Sequence, residues 1–355
     1  MSEPEFAVYT AEIFIASDMS VVIGWDIGGV HLKAVRAENG RIVKAAQYAS
    51  PLRGGTEQLR EAFAQARGEM GRAERNVVTM TGELADTFKS RADGVEQLAM
   101  LAARELDSVS IYAGPRGYVR PEDARPHCTE IASANWHAAA TLVGKRLSDA
   151  LLIDLGSTTT DIIPIAWGMV AARGYTDAER LAAGELVYTG LVRGFVMATS
   201  ERAPLRGSWM PLINENFATM ADVHRILGTL PAGVDMMVTA DGREKTVEAS
   251  CARLARMVGC DASDADDAAW HRLAQWFAEA QTRAVTDAAM LVMSARTMAP
   301  SPIVAAGIGL TVIAEVARRL RCACTSFDEL FDVAPEARIG VCHCAPAAAL
   351  AGLAS

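Results

Sequence analysis

The stretch "DIGGVHLK", from Asp26 to Lys33, and the stretch "DLGSTTTD", from Asp154 to Asp161, share one order. In each, an apolar run leads to an aspartate, then to a turn of glycine and small residues, then to apolar residues again. Glycine in such a turn leaves successive backbone N–H groups uncovered, and a nest of N–H groups binds anions, phosphate above all. Gly28 and Gly29 supply the first turn and Gly156 the second, where the hydroxyls of Ser157, Thr158, Thr159 and Thr160 add donors. A carboxylate at the strand end would repel phosphate. Asp26 and Asp154 therefore make sense with a Mg²⁺ or its water shell between them and the anion, with Asp161 either joining that set or holding the turn. Lys33 lies where it can neutralise a phosphate oxygen. One such turn alone is an ordinary hairpin sequence. Two of them, with the late turn "AAGIGL" carrying Gly307 and Gly309, describe opposed loops suited to a diphosphate or triphosphate with metal.

The elements that must position these loops follow from periodicity. Residues 21–27 read as a buried strand, 30–37 resume a strand, and "AENGRIVKAAQYAS" adds a third after the Asn39-Gly40 turn. "GGTEQLREAFAQARGEM" is an amphipathic helix, and "NVVTMTG" is a strand ending at the polar corner Thr81-Gly82-Glu83. Residues 94–106 read as a helix, "SVSIYAG" as a strand and 131–149 as a small-residue helix ahead of the second hairpin. A long helix begins near "ASDADDAAW", with acidic residues at its N-terminus. "PIVAAGIGL" is a strand, "TVIAEVARRL" a helix, and "RIGVCHCAPAAALAGL" a buried strand running into an Ala-rich helix. The repeated opening predicts an α/β fold of two related halves facing across a cleft, 21–148 and 149–355. A helical, substrate-facing insertion is expected at about 166–260 and a flexible extension at 1–20, with Met19 just before the first strand.

The 355 residues, 51% hydrophobic and 22% charged, describe an ordinary globular chain long enough for two domains. A formal net charge of −9 leaves no electrostatic footprint for nucleic acid or an anionic membrane. No run reaches the roughly 18 apolar residues of a membrane span, and the first twenty residues lack the basic segment of a secretory signal. Seven cysteines, an odd number, favour a reduced cytoplasmic protein. Cys322/Cys324 and Cys342/Cys344 invite a metal reading, but C-x-C is not the usual knuckle spacing, so packing is expected.

The two loops and the late glycine turn resemble those of the actin-like ATPase superfamily of sugar kinases, Hsp70 and actin. That resemblance implies two ribonuclease-H-like domains, with phosphate loops at Asp26–Lys33 and Asp154–Asp161 and an adenosine-type loop at Ala306–Gly309. A closer resemblance runs through nearly the whole chain from residue 21. "MTGELADTFKSRADGV", "ASANWHAAATLVG", "RLAAGELVYTG" and "ENFATMADVHRILG" are similar, in order, to the hydantoinase/oxoprolinase-like proteins linked to tetrahydromethanopterin and methanofuran one-carbon metabolism. This implies a transferase that joins a furfuryl diphosphate to the phenol oxygen of a γ-glutamyl tyramine- or tyrosine-type acceptor and releases diphosphate, with Mg²⁺ as cofactor. Read from the residues themselves and not from the family, the candidates for a general base are Glu83 in "TGELAD", Asp86, and Glu185 in "GELVYTG", and Asn135, Trp136, Tyr188, Thr189 and Arg193 are the substrate-facing candidates. Arg193 is followed by Gly194-Phe195 where the family pattern leads one to expect Thr-Pro, so the local turn differs. The alternatives are an ATP-dependent small-molecule kinase, a hydantoinase/oxoprolinase-type hydrolase with ATP between the same loops, or a nucleotide-binding regulator without turnover.

Among the remaining polar residues, His137 reads as a packed helix residue and His31 as a neutral side chain projecting out of its hairpin. Asp222 and His224 share a helical face, Asp241-Gly242 is a turn, and Trp270, Trp276 and Phe277 form core or a homodimer interface.

Overall fold

The computed structural model describes residues 20–295 and 301–355, so the extension expected at 1–20 lies, except for Ser20, outside the described residues. The strand β1 (Val21–Ile27) is buried along its whole length, as a strand covered on both faces must be. It turns back into β2 (His31–Glu38) and β3 (Arg41–Ala49) as an antiparallel meander. Helix α1 (Glu57–Met70) lays Leu59, Ala62, Phe63, Ala66 and Met70 on the sheet at helical spacing, with Phe63 5.4 Å from the Trp25 ring. Next come β4 (Arg75–Met80), α2 (Arg91–Glu105), β5 (Val109–Tyr112) and β6 (Tyr118–Val119). The first sheet runs β3-β2-β1-β4-β5-β6, with β4 parallel to β1 and β5 parallel to β4.

The expected single helix over 131–149 is two. A short α3 (Cys128–Ile131) and α4 (Asn135–Arg146) are broken at Ser133, whose φ of 53° no helix accommodates. The second sheet then repeats the plan of the first. It contains β7 (Ala150–Leu155), β8 (Thr160–Ala166) and β9 (Met169–Val170), then, after α5 (Asp177–Ala183), β10 (Leu186–Val187). An insertion carries the ribbon β11 (Arg202–Leu205) and β12 (Ser208–Pro211), with α6 (Met220–Ile226) and α7 (Val247–Met257); α8 (Asp267–Ser294) leads back from it, with Val285, Ala289 and Val292 packed into the core of the second sheet. Val196, Leu254, Trp270 and Phe277 give this insertion a core of its own. The strand β13 (Ile303–Gly307), α9 (Leu310–Leu320) and β14 (Cys324–Ser326) complete the second sheet in the order β10-β8-β7-β13-β14, with β9 on β8. Each sheet thus runs three antiparallel strands into two parallel ones, with β6 added antiparallel at the edge of the first sheet and β9 added antiparallel on β8 in the second.

The segment read as a buried strand ahead of the Ala-rich helix is helical instead: α10 (Arg338–His343) leads into α11 (Ala345–Ala354). A short apolar run does not separate strand from buried helix by periodicity. Helix α11, counted with the second half on sequence grounds, packs on β1 and β2 of the first sheet and on α4, while α4 packs on β7 and β8. Gly24 makes the approach of α11 to β1 possible, because a Cβ there would stand 2.0 Å from the Ala347 carbonyl oxygen. One apolar cluster therefore runs from Val22 through Leu142 and Leu152 to Leu350 and fixes the two sheets relative to each other. Among the described residues, no single helix is long and apolar enough to cross a membrane.

Candidate active site

A cavity of about 230 Å³ opens between the β1–β2 and β7–β8 turns and is lined by both. The turns close identically: the Gly28 amide donates to the His31 carbonyl and the Gly156 amide to the Thr159 carbonyl, each at 2.9 Å. Among the described residues, the amides of Gly29, Val30, Ser157, Thr158 and Thr159 donate to no protein acceptor. Each turn thus presents consecutive unclaimed N–H groups to one space, which is what an anion nest requires.

The second turn is clasped from behind. Leu191 donates to the Gly156 carbonyl at 3.0 Å and Arg193 to the Ser157 carbonyl at 2.8 Å. Thr160 and Thr189 do not reach the cavity. The Thr160 hydroxyl donates to the Thr189 carbonyl, the Thr189 hydroxyl accepts from Gln281 on α8, and Gln281 meets His224 at 2.8 Å. These residues support the loop and do not contact its ligand space.

Beneath the turns lies a buried charge group. The Lys33 ammonium stands 3.8 Å from Asp26, whose Oδ1 is buried without a hydrogen-bond partner among the described residues. Burial pushes the Asp26 carboxyl up, while Lys33 opposes and Asp161 adds to the rise. Burial likewise pushes Asp154 up to about 7, against Lys33 and with Asp161 and Asp26. Burial works against the charged form of Lys33, but Asp26, Cys344, Asp154 and Asp161 together outweigh it and keep it protonated. Lys33 is therefore the counter-ion of an aspartate group as well as a cation facing the cavity.

The metal set expected from three aspartates does not form. Asp161 is taken by Arg180 at 2.5 Å, and among the described residues no three His, Cys, Asp or Glu side chains converge to hold a metal alone. The pair Asp26 and Asp154 still fits a Mg²⁺ of the usual kind, bound by one or two carboxylates with water and substrate oxygens supplying the rest. The unpartnered Asp26 Oδ1 and the strained ionisation of Asp154 are what such a cation would relieve.

The far wall holds Ser133, Asn135, Asp177 and Arg180. The break at Ser133 places its hydroxyl 3.0 Å from Glu83 Oε1 and 3.3 Å from Asp177 Oδ2. One hydroxyl proton can serve only one of these carboxylates. Burial pushes Glu83 up to about 7, its own backbone amide and Ser133 oppose, and Oε2 has no partner among the described residues. Glu83 stands behind Ser133, one hydroxyl away from the cavity. Arg180 is buried, lies 4.3 Å over the Trp136 ring, and donates to the Glu185 carbonyl as well as to Asp161. Trp136 therefore lies under Arg180 and does not line the cavity, whereas Asn135, Tyr188 and Arg193 do. Arg193 also donates to the Thr158 hydroxyl at 3.3 Å.

Several sequence expectations are corrected here. Glu185 is no candidate base: its two oxygens accept from the Arg173 and Gly174 amides at 2.7 and 3.0 Å, and it pins that loop outside the cavity. Asp86 is exposed and also lies outside it. Gly307 and Gly309 offer no phosphate donors, because the Ile308 and Gly309 amides both go to the Leu155 carbonyl, at 2.9 and 3.0 Å. They are glycines for packing: a Cβ on Gly307 would meet Asp154 Oδ1 at 2.5 Å and one on Gly309 would meet the Leu155 side chain at 2.4 Å. His31 does not project outward. It is buried at the cavity and held neutral, with a pKa of about 4, by burial and then by Lys33 and Arg193.

Other singled-out residues are structural. His137 meets the Tyr112 hydroxyl at 2.8 Å, and Asp241 pairs with Arg253 at 3.1 Å. Trp270 and Phe277 are core. Cys342 and Cys344 are buried, with the Cys342 thiol near Asp328 and the Cys344 thiol near the Ala46 carbonyl.

The model of the hydantoinase/oxoprolinase family matches residues 74–334. The chain belongs to the hydantoinase/oxoprolinase family. Two curated relatives of this hydantoinase/oxoprolinase protein carry the same name, (4-{4-[2-(gamma-L-glutamylamino)ethyl]phenoxymethyl}furan-2-yl)methanamine synthase. The one from Methanocaldococcus jannaschii is 30% identical over 243 residues, covering 68% of this chain and 72% of the relative. The one from Methanococcus vannielii is 33% identical over 113 residues, covering 32% of this chain and 50% of the relative. Among solved structures, nucleotide-free acetone carboxylase matches with a TM-score of 0.56 at 11% identity, over 94% of this chain and 70% of that one. The activator of 2-hydroxyisocaproyl-CoA dehydratase from Clostridium difficile gives a TM-score of 0.47 at 14% identity, over 94% of both chains. The two-sheet plan is that of the actin-like ATPase fold.

Proposed function

We propose that this protein joins a furfuryl diphosphate to the phenol oxygen of a γ-glutamylated tyramine- or tyrosine-type acceptor, forming an aryl ether and releasing diphosphate, in the synthesis of a methanofuran-type cofactor. The observation that carries this reading is the pair of open amide nests on one small cavity. The named product of the relatives, a phenoxymethyl-furan, supplies the substrate class. The cavity volume of about 230 Å³ falls below the roughly 300–1,000 Å³ of clefts that enclose drug-sized ligands, which favours a diphosphate with a small ring over a whole nucleotide.

In this reading the bond between the furfuryl CH₂ and the diphosphate oxygen breaks, and its electron pair leaves with the diphosphate. The furan ring spreads the positive charge left on the CH₂. The free amides of both turns, the Ser157 and Thr158 hydroxyls, Lys33 and Arg193 stabilise the negative charge where it develops. Mg²⁺ held by Asp26 and Asp154 would neutralise part of that charge. The phenol oxygen forms the new bond to the CH₂, and its proton passes through the Ser133 hydroxyl to Glu83. A carboxyl near 7 is a better match for a phenol near 10 than an ordinary carboxylate would be.

The test is to mix the furan diphosphate with a γ-glutamylated phenolic amine and follow released diphosphate and the ether by mass. Appearance of both supports the reading. Strong thermal stabilisation by ATP with none by diphosphate would replace it with the kinase or hydrolase alternative.

A further inference from the structure

A second cavity, about 150 Å³, opens beside the first, and Arg193 lines both. Its walls come from the turn at 192–195, the start of α6 and residues 235–240. The side chains divide by polarity. Asp222, Arg225 and Asp235 are largely buried, with at most 13% of each side chain exposed. Phe195 and Val238 instead leave 44% and 83% of their surface open. An apolar rim over a charged interior is a ligand's environment more than a fold's.

The interior carries both signs. Arg225 bridges Asp222, at 3.4 Å, and Asp235. Asp222 is saturated, since the Thr219 amide, Ser250 and Arg253 also bond it. Among the described residues, Asp235 has only Arg225 and Lys245, the latter at 3.4 Å, on its carboxylate. Arg193 reaches in from the first cavity. A purely anionic ligand here would meet Asp222 and Asp235, and a purely cationic one would meet Arg193 and Arg225. A zwitterion is matched at both ends.

We propose that the second cavity seats the α-amino acid head of the acceptor. Its ammonium lies against Asp235 and its carboxylate against Arg225 and Arg193, while the aromatic stem crosses Phe195 and Val238 so that the phenol enters the first cavity past Arg193. This rests on the transferase reading, to which it adds where and how the γ-glutamyl group is recognised.

The probe is γ-glutamylethylamide, the head group without the phenol, titrated calorimetrically into the full-length protein. Saturable binding that weakens roughly tenfold in Asp235→Asn is expected. Absence of any heat at millimolar concentration overturns the subsite. In turnover, the ratio of kcat/KM for the γ-glutamylated acceptor over bare tyramine is expected to fall about tenfold in the same variant. A ratio that does not move also overturns it. Should Asp235→Asn fail to fold, Val238→Asp at the exposed rim carries the test with the same expected fall. Failure of the two proposals is distinguishable. If the wild type binds the amide but releases no diphosphate, the reaction reading falls and the subsite stands. If it releases diphosphate equally well with both acceptors, the subsite falls and the reaction stands.

Discussion

The two hairpin turns close with the same bond but are held differently. In the β1–β2 turn, a Cβ on Gly29 would meet no atom of the described residues within 4 Å beyond its own chain neighbours. Outside its own hairpin this turn is tied by Ser50 to the Val30 carbonyl at 2.9 Å and Leu52 to the Gly29 carbonyl at 3.0 Å. In the β7–β8 turn, three successive amides, of Leu191, Val192 and Arg193, fasten the Gly156 and Ser157 carbonyls, and a Cβ on Gly190 would sit 2.4 Å from Ser157. The first turn is fastened at two carbonyls but leaves room for a side chain at Gly29. The second is gripped by the insertion that also builds the second cavity, so the two cavities share the backbone of residues 192–193.

The sharpest test of the comparison is to remove one aspartate from each side. Asp154→Ala and Asp26→Ala are each expected to lower diphosphate release by roughly 100-fold or more with the fold retained by circular dichroism. Full turnover in either variant would take that carboxylate out of the site. Lys33→Met strips the cation from both sides at once. It should destabilise by about 3 kcal/mol in urea denaturation, the low end for a broken buried pair because 23% of the Lys33 side chain is exposed. Gly190→Ala and Gly29→Ala separate the turns directly. The first should cost about 1–3 kcal/mol by overpacking against Ser157. The second should stay within about 0.5 kcal/mol while weakening diphosphate binding. Equal stability losses would erase the distinction between the open glycine of the first turn and the packed one behind the second.

The smallest effect is in pH. Asp154 and Glu83 are both pushed up to about 7 in the folded protein, so the folded state holds more protons than the unfolded one between the ordinary carboxylate range and 7. The stability they contribute is present in acid and lost as pH rises through 7. Urea midpoints of the ligand-free protein should fall between pH 5 and 8, less steeply in Asp154→Asn and in Glu83→Gln. A midpoint that rises over that interval in the wild type would contradict the burial of these carboxyls.

The repeated sheet plan was legible because its signals are local: a run of apolar residues, an aspartate, a glycine turn. The two turns and the residues on them could be placed for the same reason. Arg180 was not legible, since "AERLAAG" reads as any amphipathic helix and its partners Asp161 and Trp136 come from other elements. Ser133 looked like a helix residue, and only its positive φ turns the hydroxyl toward Glu83 and Asp177. Gly307 and Gly309 misled because a glycine required for close packing and one required for open amides look the same in sequence. Glu185 misled likewise: a carboxylate bound by two backbone amides is as polar, on paper, as one facing a substrate.

The contact between Gly24 and Ala347 has a consequence for how this chain is made. A ribosome releases β1 long before the helix that covers it, so the first sheet stays bare on one face until residues 345–354 emerge. The last helix of the chain thus completes the cover of its first strand, a contact of very high sequence separation that no partial chain can make.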